Sequence, residues 1–179
     1  MTLSDLASIG SLVSGIAVLV SLIYLSLQVK QAERNQQALI RQGRTERAID
    51  ILIAGMEPSM TDAITRVNTG AANVTSTELD QYFYWQVANF RSYEDSFWQH
   101  KEGLLTASDF DGLVTSITFA VGLPAARLAW RRTRDAYHGD FVKFVDELVA
   151  KTPIRKWATA DALGQWNADM NAEMAGAAR

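Results

Sequence analysis

The sequence predicts an all-α chain in which a single N-terminal transmembrane helix continues into a long cytoplasmic helix, followed by a small helical bundle domain. Three observations lead there. Residues 6–29 form a run of 24 without one charged side chain, dominated by Leu, Ile, Val, Ala, Gly and Ser. A seven-residue pattern that begins inside this run persists to Met56. Beyond Pro58, apolar residues recur at helical spacing between capping signals, and no stretch shows the period-of-two alternation of strands. The expected organisation is 1–29 as the transmembrane helix, 30–57 as a juxtamembrane helix continuous with it, and 58–179 as the cytoplasmic helical domain.

At about 1.5 Å rise per residue the uncharged run spans about 36 Å, enough to cross a hydrocarbon layer of about 30 Å with some tilt. A cleaved signal peptide fits poorly, because no Lys or Arg precedes the run and no small-residue cleavage pattern leads into a polar start. Charge is unevenly spread. Residues 30–47 carry a local net of +3, through Lys30, Arg34, Arg41, Arg44 and Arg47 against Glu33 and Glu46, whereas the chain from residue 48 onward carries −5. Basic residues flanking only the C-terminal end of the run place that end in the cytoplasm. Lys30, Arg34, Arg41 and Arg44 are then positioned to contact anionic headgroups. An acidic domain is poorly suited to nucleic acid, whose phosphates need clustered Lys and Arg. The absence of cysteine excludes disulfides, thiol catalysis and zinc–thiolate sites.

Sorted by heptad, one line of the helix reads Ala7, Ser14, Ser21, Gln28, Asn35, Gln42, Ile49 and Met56. Ala17, Ala38, Leu39, Leu52 and Ile53 flank it, while Ile9, Ile16 and Ile23 fall on the opposite, lipid-facing side. Small and hydroxylated residues on one face allow helices to approach closely within lipid. A register held at seven residues implies a left-handed supercoil with a partner. We therefore expect one helix from about residue 4 to 56, about 80 Å long. Three readings of the stripe are open at this level. Its extramembrane part docks on its own domain; or parallel copies meet along it, with another membrane protein as the alternative partner; or a wider ring lines a pore with Ser14, Ser21, Gln28, Asn35 and Gln42.

In the domain, a short helix is expected at 59–68, then a polar loop from Thr69 to Ser76. Thr75 followed by Glu78 is a capping-box signature for a helix to about His100, with Tyr82, Trp85, Phe90, Phe97 and Trp98 as core candidates. Thr106 with Asp109 opens another, closing near Gly122. Pro124 suits a first helical turn of a helix to about Tyr137, and Asp140 to Lys151 reads as one more. Pro153 breaks it, and an amphipathic segment with Trp157, Leu163 and Trp166 runs from Ile154 to about Met174.

The chain resembles a widespread group of uncharacterised bacterial proteins that pair an N-terminal membrane helix with a helical cytoplasmic domain. The residues carrying the resemblance are Ser21-Leu22-Ile23-Tyr24-Leu25 and Gln28-Val29-Lys30-Gln31, then Phe90-Arg91 with Glu94, Gln99 and Gly103-Leu104-Leu105, then Arg127 with Trp130, and Phe141-Val142-Lys143-Phe144-Val145-Asp146. Gly122-Leu123-Pro124 and the single Trp130 depart from the group, whose members often carry a Pro-Gly turn before the Arg and a double Trp after it. The resemblance implies the topology and a bacterial inner membrane, and nothing about mechanism.

No catalytic residue, cofactor or metal site is read. Glu94 and His100, with Asp95 and Glu102 nearby, are the one pairing that a metal enzyme would need. A helix-end histidine and a structural ion pair of Glu94 with Arg91 or Arg127 are the competing accounts. Arg127, Arg131, Arg132 and Arg134 form the domain's basic cluster, read as a solvated face or a headgroup contact. The function expected is a self-associating, non-enzymatic membrane platform for assembly or partner binding, with a homo-oligomeric channel as the alternative.

Overall fold

A computed structural model describes residues 3–157 and 162–177. The side chains of Asp5, Ala7 and Leu163 lie outside the described set. Among the described residues seven α-helices follow one another: α1 (Leu3–Met56), α2 (Pro58–Thr69), α3 (Ser76–Lys101), α4 (Ala107–Val121), α5 (Pro124–Thr133), α6 (Gly139–Lys151) and α7 (Ala162–Ala177). A 3₁₀ turn, Arg134–Ala136, joins α5 to α6, and no strand occurs among the described residues. The architecture is all-α, a long apolar N-terminal helix followed by a helical bundle. The chain forms two compact units, Met1–Gly43 and Arg44–Arg179, and α1 contributes residues to both.

The first unit is the longer part of α1, whose described side chains are exposed along almost its whole length. Ile9, Leu12, Ile16, Leu19 and Ile23 are exposed. It is a helix long and apolar enough to cross a membrane.

In the second unit, local signals set the helix ends. Pro58 occupies the first turn of α2, where its missing N–H is not needed. At the other end Gly70 adopts φ +68°, a left-handed conformation that glycine takes without steric cost, and its N–H and that of Ala71 close on Val67 O and Arg66 O. Gly103 serves the same purpose after α3, at φ +74°. The capping box forms: Glu78 N–H donates to Thr75 Oγ1 at 3.2 Å, and Thr75 N–H donates to Glu78 Oε2 at 2.7 Å. The Thr75 backbone and hydroxyl bonds, aided by Arg66, hold the Glu78 carboxyl below its usual range. A lowered pKa contributes stability that is complete above the ordinary carboxylate pKa and lost as pH falls through the lowered one. The thermal advantage of the parent over Glu78→Gln is therefore expected to be full near pH 7 and to shrink below about pH 4. A difference independent of pH would contradict this role.

The core has two neighbouring centres. In the larger, Phe90 of α3, Ile117 and Val121 of α4, Trp130 of α5, and Phe141 and Val145 of α6 are fully buried. Their rings interlock, with the Phe90 and Trp130 centroids 4.9 Å apart and Trp130 edge-on to Phe141 at 5.8 Å. In the smaller, Met60 and Ile64 of α2 meet Tyr82 of α3, with Val67, Trp85, Ala125 and Trp157 packed around them.

One expected element takes a different form. The segment from Ile154 reads as amphipathic from the outset, yet residues 153–157 are not helical and form a strap across the bundle. The Arg155 N–H donates to Gly122 O at 2.9 Å, and its guanidinium lies 3.6 Å over the Phe119 ring. These bonds take up backbone and side chain that a continuing helix would have used locally. The described helix starts at Ala162.

Candidate functional site

Placed in the structure, the polar line of the first unit, Ser14, Ala17, Ser21, Gln28, Asn35 and Gln42, is exposed. Ser21 donates its hydroxyl to Ala17 O at 2.8 Å, one turn back, and Gln28 donates its amide to the Tyr24 hydroxyl at 2.8 Å. Donors satisfied within the helix can enter an apolar environment at little cost, and the Ser21 oxygen keeps acceptor capacity for a neighbour. Lys30, Arg34 and Arg41 are exposed on the same helix.

The end of α1 belongs to the bundle, and there the two sides of the helix differ. Arg44 approaches Asp109 of α4 at 3.7 Å, and Arg47 pairs with Asp95 of α3. The Ile51 carbonyl accepts from the Trp85 indole N–H at 3.5 Å, and the Gly55 carbonyl accepts from the Thr61 hydroxyl at 2.8 Å. A Cβ at Gly55 would lie 3.6 Å from the Trp85 ring. Positions 44, 47, 51 and 55 recur every three or four residues and make the inward face. On the outward face Ile49, Leu52, Ile53 and Met56 are 48%, 65%, 57% and 76% exposed. These four residues belong to the heptad stripe, and it is the arginines, not the stripe, that turn to the bundle.

The other candidate residues are engaged inside the bundle. Glu94 pairs with Arg91 at 2.8 Å and also accepts the His138 backbone N–H at 2.8 Å, which joins α3 to the start of α6. Arg91 further donates to Ala136 O at 3.0 Å and lies 4.4 Å over the Tyr137 ring. Arg127 does not meet Glu94. It donates to Val121 O and Thr152 O, satisfying carbonyls at the ends of α4 and α6. Arg134 and the Trp130 indole share Asp146, at 2.7 and 2.8 Å. His100, in the last turn of α3, stacks face to face on Phe110 with centroids 3.7 Å apart. Among the described residues no group of three His, Asp or Glu is placed to hold a metal ion. Thus Phe90, Arg91, Glu94, Arg127, Trp130, Phe141 and Asp146 are the pins of the bundle. Of the basic cluster, Arg131 and Arg132 remain exposed.

Two concave sites were not anticipated. One is an open groove of about 400 Å³ between the end of α1 and α3, edged by Arg47, Asp50, Arg91 and Asp95. The other is an apolar pocket of about 150 Å³ where α2, α3 and α5 meet, walled by Val67, Tyr82, Phe83 and Leu128, with Arg132 at the rim. The spacings Leu79 to Phe83 and Leu128 to Arg132 are the sequence traces of the second, each one turn apart on its helix. No protein-family model, curated protein or solved structure matches the chain.

Proposed function

We propose that the chain is a single-pass protein of the bacterial inner membrane that self-associates through its first helix and presents its bundle as a non-enzymatic platform for assembly or partner binding. The observation that carries this reading is the outward face of α1, where Ile49, Leu52, Ile53 and Met56 stand exposed although the same helix is anchored on its other side. This disfavours docking of the stripe on its own domain. A parallel pairing of copies covers that face and the uncharged line Ser14, Ala17, Ser21, Gln28, Asn35 and Gln42 in one continuous seam. The intrahelical bonds of Ser21 and Gln28 suit close helix contact better than a ring that replaces ion hydration, so the narrow assembly is preferred to a pore.

Lys30, Arg34 and Arg41 follow the apolar run and orient the bundle to the cytoplasm, where they meet anionic headgroups. Membership of the bacterial group that the motifs resemble is part of the same proposal. Native mass spectrometry of the full chain in mild detergent is expected to show a species of two or more copies. A strictly monomeric species overturns the reading.

A further inference from the structure

We propose that α7 of one copy docks on the bundle of another, inserting Trp166 into the apolar pocket between α2, α3 and α5. The inference rests on the self-association reading and adds a second contact, to which the partner copy contributes the filling residue.

The pocket between α2, α3 and α5 is lined mainly by apolar side chains. Its walls are apolar because the Tyr82 hydroxyl is consumed, donating to Asn68 Oδ1 at 3.1 Å and accepting from Gln86 Nε2 at 2.9 Å, which leaves only the ring facing the space. Leu79 and Leu128 stand exposed at the mouth. An apolar space of about 150 Å³ accepts one six-membered ring, so the benzo edge of an indole enters it while the pyrrole N–H stays at the mouth.

Helix α7 carries such a ring in exposed position. Trp166 is 65% exposed, and Met170 and Met174 continue its line one turn and two turns on, also exposed. Methionine side chains adapt to irregular surfaces such as the leucine-lined mouth. Charge fits as well. Residues Ala162–Ala177 contain Asp169 and Glu173 and no basic residue, whereas Arg131 and Arg132 project from the last turn of α5 beside the pocket. With Trp166 seated, Asp169 lies one turn away, within reach of the rim arginines.

Trp166 stands exposed and does not line the pocket of its own copy, so the host is a neighbour. Trp157 packs against the cluster of Met60, Ile64 and Tyr82, and Tyr82 also lines the pocket, so the arm starts beside it. In a parallel assembly every arm therefore leaves at the level of every neighbour's pocket. Each copy then gives and receives one arm, which closes the assembly symmetrically.

The chain has no cysteine, so an introduced pair reports one contact alone. Full-length Met170→Cys and Leu128→Cys chains, carrying different tags, are co-expressed, extracted in mild detergent and gently oxidised. A disulfide between differently tagged chains is expected, and adding Trp166→Ala to the Met170→Cys chain is expected to lower its yield about tenfold or more. A disulfide that forms only within one chain bearing both substitutions overturns the exchange in favour of folding back on its own bundle. Native mass spectra of the same samples separate the remaining outcomes. An intact oligomer without the disulfide overturns the docking and leaves self-association standing, whereas a monomer overturns both.

Discussion

Replacing Trp130 with alanine is expected to destabilise the bundle by about 3–5 kcal/mol, a fall in midpoint temperature of about 10–25 °C. Trp130 is 1% exposed and touches Phe90, Tyr137 and Phe141, the rings that join α3, α5 and α6. Truncation removes its transfer free energy and leaves a cavity among rigid rings that collapse poorly into it. The indole hydrogen bond to Asp146 is the smaller part. Asp146 keeps Arg134 at 2.7 Å when the indole is gone, so no carboxylate is stranded. Trp130→Phe, which keeps a ring but not the donor, is therefore expected to lose only about 1–2 kcal/mol. Urea and thermal denaturation of the full chain, followed by circular dichroism, decide the order. A Phe variant as damaging as the Ala variant would mean that the hydrogen bond, not the packing, holds these helices together.

What the sequence reveals and what it conceals divide by distance along the chain. The caps at Thr75 and Thr106 and the proline starts at Pro58 and Pro124 are settled by neighbours within four residues, and α2 to α5 begin where those signals lie. Contacts between remote segments leave no such trace. Arg44 reads as a headgroup-facing charge and Arg47 as one of the same basic run, and nothing local reveals their partners Asp109 and Asp95 in the bundle. The pairing of Glu94 with Arg91 is local, three residues apart, but its bond from the His138 N–H joins a segment more than forty residues on. The strap at 153–157 is set by Gly122 and Phe119, more than thirty residues upstream, so helical periodicity misplaces it. The heptad shows which residues of α1 share a face, and not whether the bundle takes that face or its opposite. The α2, α3 and α5 pocket is harder still, since three helices each supply one or two walls.

Introducing charge on the outward face of α1, by Ile49→Glu together with Ile53→Glu, is expected to dissolve the assembly and leave the bundle folded. In a parallel seam these side chains of each copy face their counterparts, so the variant buries like charges without partners, at several kcal/mol in total. Each 1.4 kcal/mol is tenfold in association, and a loss of about 100-fold or more follows. Folding of the single chain is little affected, because Ile49 and Ile53 are 48% and 57% exposed before any substitution. Ile51 supplies the contrast. It lies two residues away on the inward face, half-buried, with its carbonyl receiving the Trp85 indole, so Ile51→Glu should lower the melting temperature of the bundle itself. Native mass spectra and melting curves of the two variants together read the direction of the helix. Loss of assembly with an unchanged melt for the outward pair, and a lowered melt for position 51, place the seam on the stripe. Retained assembly in the outward variant would move the seam off this face, and the exposed aliphatic residues would then await a different protein.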